Sequence, residues 1–178
     1  MKIDNSWTLF LDRDGVINKE LRNDYVKKYE DFHFEEGALE AIQKLSSLFG
    51  LLIIITNQRG VGAGLMSVED LNEIHEQMTL EITNVGGRID KIYFAPDEDR
   101  QSVNRKPNPT MAYKAKADFP QIDFSKTMMV GNSSSDMEFG RKIGAYTVYI
   151  DEKQKYDGVK TDLMDEIYDS LNDFAKRI

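Results

Sequence analysis

The sequence predicts an α/β fold, a doubly wound three-layer sandwich on a mainly parallel sheet. Three observations predict it. Short apolar runs alternate with segments of helical periodicity along the whole chain. One run, LLIIIT, is apolar at nearly every position, as in strands covered on both faces. Carboxylates, a threonine and a lysine follow the runs, where open parallel sheets bind their ligands. A length of 178 residues suits one domain, 1–178, with a core that needs no staples.

The first strand is expected at Trp7–Leu11. Gly37–Gly50 follows with Leu39, Ile42, Leu45, Leu48 and Phe49 at helical spacing, and Gly50 is a natural stop. LLIIIT is the second strand. RGVGAG reads as a flexible loop, and Ser67 opens a capping box, SVED, on a helix reaching about Val85. Lys91–Ala95 is the third strand, and the proline-bearing PDEDRQSVNRKPNP is loop. Pro109 suits the first turn of a helix ending near Asp118. KTMMVG is the fourth strand, SSSDMEFGRKIGA a helix stopping near Gly144, and TVYI the fifth strand. Asp162–Ile178 is expected as one amphipathic helix, packed by Leu163, Ile167, Leu171 and Phe174.

Composition narrows the partners. The net charge is −8, which gives no help in binding nucleic acid or an anionic membrane. There is no cysteine, so disulfides and thiolate metal sites are impossible. His33 and His75 fit no zinc spacing and read as structural or solvated, His75 on a helix away from the strand ends. The N-terminus lacks the apolar core of a signal peptide, and no run approaches the ~20 residues of a membrane helix. The expectation is a soluble cytoplasmic protein, a monomer or weak homo-oligomer, with neither nucleic acid nor membrane as partner.

In FLDRDGV, Asp12 and Asp14 follow the first strand two residues apart. Carboxylates that close repel unless a cation lies between them, and Mg²⁺ is commonly held by one or two carboxylates plus phosphate oxygens. Asp136, after the fourth strand, would complete such a site. Asp12 could attack phosphorus, and Asp14 could protonate the leaving oxygen and later deprotonate water. Thr56 and Lys106 could hold the remaining phosphoryl oxygens. Taken singly, each has a plainer reading: a D-x-D loop pair, a turn threonine, a solvated lysine, a serine cap in GNSSSD. Their joint occurrence, each behind the appropriate strand, favours the chemistry.

FLDRDGV, ITNQRGVGAG, RKPNP and VGNSSSDMEFG, in that order, resemble the haloacid dehalogenase (HAD) superfamily of phosphotransferases, whose fold is Rossmann-like. The resemblance covers roughly Trp7–Ile150. It implies Asp12 as nucleophile and Asp14 as general acid/base, with Thr56 and Lys106 binding phosphate. It implies Mg²⁺ at Asp12, Asp136 and the Asp14 main-chain carbonyl. The family's fourth motif usually opens with aspartate; Asn132 stands there instead, an uncharged oxygen donor for Mg²⁺ or its water.

Residues 15–55 and 57–105 leave no room for a folded cap between motifs. TNQRGVGAG, YVKKYEDFHFEEGALEAI and RKP are similar to one capless branch of the superfamily. That branch holds D-glycero-D-manno-heptose 1,7-bisphosphate phosphatases, histidinol phosphatases and polynucleotide 3′-phosphatases. The first group is nearest in length and pattern, and implies a small phosphorylated sugar losing its C7 phosphate. Asn57, Gln58, Arg59 and Arg105 are the expected substrate contacts. Many branch members carry a Cys/His zinc loop; APDEDRQSVN has neither residue, so no zinc is expected.

Other readings were weighed. Gly60, Gly62 and Gly64 have the wrong spacing for a dinucleotide loop, and no Walker lysine follows. A phosphorylated receiver-type switch would nominate Asp97, but the first strand lacks adjacent acids. A catalytically inactive binding relative rests on Asn132 alone.

Overall fold

The computed structural model describes residues 2–21, 24–151 and 159–178. Strands β1 (Thr8–Leu11), β2 (Leu51–Asn57), β3 (Lys91–Ala95), β4 (Thr127–Gly131), β5 (Tyr146–Ile150) and β6 (Glu166–Tyr168) form one sheet. All its pairings are parallel, in the order β3-β2-β1-β4-β5-β6. Helices α1 (Ala38–Leu48), α2 (Arg59–Gly62), α3 (Val68–Asn84), α4 (Thr110–Asp118), α5 (Ser134–Ile143) and α6 (Leu171–Arg177) complete it.

The apolar strands divide their side chains between two layers, because successive residues point to opposite faces. Leu9, Leu11, Leu52, Ile54, Met128 and Val130 pack with α1, α3 and α6. Phe10, Ile53, Ile55 and Met129 pack with α4 and α5. Strands covered on both faces are therefore apolar throughout. The chain runs outward from β1 to β3, then returns across the centre to β4. Strand order reverses between β1 and β4, and a ligand crevice opens beyond the carboxyl ends of strands at such a switch. No second folded unit interrupts this order among the described residues, matching the capless expectation.

Helix ends follow their sequence signals. Ser67 accepts a hydrogen bond from the Asp70 amide, and the Asp70 carboxylate accepts from Ser67, the capping box expected of SVED.

Two expectations are corrected. Asp162–Ile178 is not one helix: Thr161–Leu163 is a 3₁₀ turn, β6 is a sixth strand and α6 starts only at Leu171. Asp165 accepts from the Thr147 amide at 2.8 Å and from the Arg141 guanidinium at 2.8 and 2.9 Å, which lays the following residues along β5. Ser170 then caps α6 through the Asp173 amide. Leu171 and Phe174 are buried as expected, whereas Ile167 is 38% exposed on the edge strand. The RGVGAG segment begins as the helical turn α2. The Gly62 amide donates to Pro96 O, and a Cβ at Gly62 would lie 2.4 Å from that oxygen. Glycine is needed there for close approach between loops.

Candidate active site

Asp12 is fixed where β1 gives way to loop. Its amide donates to Val130 O at 2.9 Å, prolonging the β1–β4 pairing by one residue and holding the carboxylate at the switch point. Across the crevice, Lys106 enters from the loop after β3. Asn57, at the end of β2, grips this lysine's main chain: its Oδ1 accepts from the Lys106 amide at 3.0 Å and its Nδ2 donates to Lys106 O at 3.2 Å. The ammonium then reaches inward, donating to Ile55 O at 2.7 Å. It lies 2.8 Å from Asp12 Oδ1 and 2.6 Å from Asp136 Oδ1.

Asp136 divides its two oxygens between structure and site. Oδ2 accepts from the Ser133 amide at 3.0 Å and the Ser133 hydroxyl at 2.6 Å, closing a capping box on α5. Oδ1 faces the crevice, fully buried, with the Lys106 ammonium as its close neighbour. A Cβ at Gly131 would fall 2.3–2.5 Å from this carboxyl group, so only glycine leaves it room. The serine-cap reading of GNSSSD holds through Oδ2, while Oδ1 of the same residue meets the Lys106 ammonium.

Asp14 sits in different company. The Arg13 guanidinium donates to it through Nη2 at 2.9 and 3.0 Å and through Nε at 3.3 Å. Asn18 Nδ2 donates to Oδ1 and Gln58 Nε2 to Oδ2, each at 2.9 Å. Gln58 also donates to Thr56 Oγ1 at 2.9 Å.

These surroundings push the two acids apart. Burial and the Asp136 charge raise the Asp12 carboxyl to about 7, against the pull of Lys106. Burial acts to raise Asp14 as well, but the Arg13 charge and the hydrogen bonds from Asn18, Arg13 and Gln58 outweigh it and hold Asp14 low. Burial would lower Lys106, yet Asp12 and Asp136 keep it above its ordinary value.

The donor set fits a small hard cation. No three His, Cys, Asp or Glu side chains converge on one point among the described residues. Two carboxylates, Asp12 and Asp136, both approach the Lys106 ammonium, and Mg²⁺ is held elsewhere by as few as one or two carboxylates. Asp12, Asp136 and the Asp14 main-chain carbonyl are the groups that would hold it. Asn132 lines the same cavity, its amide packed over Gly15, whose φ of 77° suits glycine.

The cavity measures about 200 Å³. Asp12, Asp14, Lys106, Gln58, Asn57 and Asn132 form its floor and walls. Glu20, Leu21, Asp24, Tyr25 and Val26 form its mouth. Thr56 lies behind Gln58 and is not part of the lining. Gln58, expected to touch substrate, lines the cavity and its amide nitrogen donates to Asp14 and Thr56. Arg59 pairs with Glu98 at 3.1 Å and Arg105 donates to Asp97 O at 2.7 Å, both just outside the lining. The loop carrying Arg105 is knit by Asp97, whose Oδ1 accepts from Ser102 Oγ at 2.8 Å and Asn104 Nδ2 at 3.2 Å.

Sequence reasoning passed over Arg13 and Asn18. Of the two readings of His75 the structural one holds: it is buried, and its Nε2 lies 3.1 Å from Arg13 Nη1. One signal was available for Arg13: an arginine lodged between two acids directly after a buried strand needs partners.

Residues 8–172 match the family model described as polynucleotide kinase 3 phosphatase. The chain belongs to this phosphatase family. A D-glycero-α-D-manno-heptose-1,7-bisphosphate 7-phosphatase of Mycobacterium tuberculosis is 34% identical over 172 residues, covering 96% of this chain and 90% of that protein. A D-glycero-β-D-manno-heptose-1,7-bisphosphate 7-phosphatase of Vibrio cholerae is 35% identical over 147 residues, 78% and 77% of the two chains. The crystal structure of D,D-heptose 1,7-bisphosphate phosphatase from B. bronchiseptica, complexed with magnesium and phosphate, matches with a TM-score of 0.87 at 26% identity. That match covers 96% of this chain and 97% of the other. The fold of this phosphatase family member is that of the HAD superfamily.

Proposed function

We propose that this chain is a Mg²⁺-dependent phosphatase that removes the C7 phosphate of D-glycero-D-manno-heptose 1,7-bisphosphate through an aspartyl-phosphate on Asp12. One observation carries the chemistry: a buried ammonium joins Asp12 to Asp136 while Asp14, in the same cavity, is held apart by its own donors.

A carboxylate oxygen of Asp12 attacks phosphorus, and the bond to the sugar oxygen breaks. Asp14 gives that oxygen its proton, then takes one from the water that hydrolyses the aspartyl-phosphate. Lys106 neutralises charge gathering on the phosphoryl oxygens, while Thr56, behind Gln58, accepts from the amide that also reaches Asp14. When bound, Mg²⁺ supplies further positive charge beside Asp12 and favours the ionised form a nucleophile needs. An incoming phosphate dianion acts on Asp14 in the opposite sense, favouring the protonated form a general acid needs.

The relatives named above support the substrate, and so does the cavity. Its mouth carries the carboxylates of Glu20 and of Asp24, the latter paired with Lys27, whose oxygens would accept further hydrogen bonds from a polyhydroxylated chain. Arg105 and Arg59, outside the lining and held by Asp97 O and Glu98, are the cations that would meet the second phosphate. The family description favours one further reading, a polynucleotide 3′-phosphatase. An acidic mouth and a net charge of −8 oppose a polyanionic strand.

Phosphate release should be compared for heptose 1,7-bisphosphate, histidinol phosphate and a 3′-phosphorylated oligonucleotide, with Mg²⁺ and with chelator. Selective, Mg²⁺-dependent turnover of the bisphosphate is expected, and Asp12→Asn should abolish it. Preference for either other substrate would move the assignment; full activity of Asp12→Asn would remove the nucleophile.

A further inference from the structure

The Arg13 side chain is 1% exposed, although it stands between two acids of a ligand cavity. Its guanidinium is committed on two sides. Nε and Nη2 grip Asp14, and Nη1 lies 3.1 Å from Nε2 of His75, contributed by α3. A guanidinium only donates, so Nε2 must accept and the ring proton sits on Nδ1. His75 is itself held: it lies on the buried face of α3 with Leu71, Ile74 and Met78, and its ring sits 6.1 Å from that of Phe94. Burial first, then the Arg13 charge, lowers the imidazole to about 3, consistent with a permanently neutral acceptor.

A planar fork anchored at one end can turn only slightly at the other. We propose that His75 is a positioning residue for the reaction: it fixes the plane of Arg13 and thereby the aim of the Asp14 carboxyl group at the leaving-group oxygen. This rests on the reading of Asp14 as general acid. His75 touches neither phosphate nor metal ligand side chain among its recorded contacts. It acts through Arg13.

A misaimed general acid harms some reactions more than others. An alkoxide leaving from a sugar needs its proton; p-nitrophenolate does not. The test compares the single-turnover rate of leaving-group release, which precedes the aspartyl-phosphate hydrolysis common to all substrates, and KM, for His75→Leu and His75→Gln on a sugar phosphate and on p-nitrophenyl phosphate, beside Asp14→Asn. Loss of aim should lower that release rate in His75→Leu on the sugar phosphate by about tenfold or more. KM should stay near wild type, and release of p-nitrophenolate should be much less affected. His75→Gln places an amide oxygen near the position of Nε2 and should recover most of the rate. Should His75→Leu unfold, His75→Asn, polar but too short to reach Nη1, carries the same expectation.

Equal losses on both substrates, or no loss, in His75→Leu while Asp14→Asn shows the selective pattern would overturn the inference alone. Equal losses in Asp14→Asn would overturn the reading of Asp14 and the inference with it.

Discussion

Lys106 stands between two carboxylates that would otherwise face each other in a buried crevice. Removing one partner from buried charges leaves the others uncompensated, at about 3–5 kcal/mol. Lys106→Met should therefore melt well below wild type in chelator. Mg²⁺ should restore part of that loss, since a divalent cation supplies charge to the same oxygens, while activity stays low. A melting temperature indifferent to the substitution would contradict the bridge at 2.8 and 2.6 Å. His75 gives a pH signature. Its ordinary value is 6.5 and in the fold it lies near 3, lowered by burial. Between those values the unfolded chain binds the extra proton, so this contribution is complete above pH 6.5 and is lost as pH falls toward 3. Asp12, raised to about 7 by burial, has the opposite sign, and is common to wild type and variant. Denaturant titrations in chelator should show wild type losing stability relative to His75→Gln by up to ~1.4 kcal/mol per unit below pH 6.5. A constant difference would mean that the imidazole is not held neutral. Asp12 and Asp14 were legible because they directly follow an apolar strand, and Lys106 because it lies in the polar loop after another. The roles of Arg13, Gln58 and His75 were not, because their partners come from other elements; His75 is 62 positions from Arg13. Periodicity places His75 on a helix but does not say which buried donor meets it.

Among the elements, α5 joins stability to the site most directly. Its first turn is closed by Ser133, and the same carboxylate that closes it directs Oδ1 into the crevice. Loss of an N-cap costs about 1 kcal/mol. Partners that orient metal ligands are worth about 10–100-fold in metal affinity or activity. Ser133→Ala should thus lower the melting temperature by roughly 2–4 °C. Its apparent Mg²⁺ affinity should fall by about tenfold, measured as the Mg²⁺ dependence of the rate. An unchanged Mg²⁺ dependence would separate the cap from the site. Helices with local stop and start signals were readable, as Ser67 and Gly50 illustrate. The C-terminal segment misled because Leu163, Ile167, Leu171 and Phe174 also satisfy helical spacing. What decides against a helix there is the long-range hold of Arg141 and Thr147 on Asp165. In the RGVGAG loop, contact with Pro96 likewise imposed order that composition alone left open.

At the scale of the whole molecule, strand order does the gathering. With β1 central, flanked by β2 and β4, the residues after these strands share one rim, and the loop after β3 brings Lys106 across. Alternation of strand and helix was enough to foresee that convergence, since parallel crossovers admit few arrangements. Which donor faces which acid emerged only with packing. The fold thus brings Asp12, Lys106 and the separately held Asp14 to one cavity, with Asp136 behind the ammonium. The most direct test follows the phosphorus itself. Heptose 1,7-bisphosphate should be monitored by ³¹P NMR with Mg²⁺, with chelator, and with Asp12→Asn. The account predicts loss of the C7 phosphomonoester signal, growth of inorganic phosphate and an intact C1 phosphate, in the Mg²⁺ wild-type sample alone. Release from C1, or release that persists in chelator or in Asp12→Asn, would contradict it.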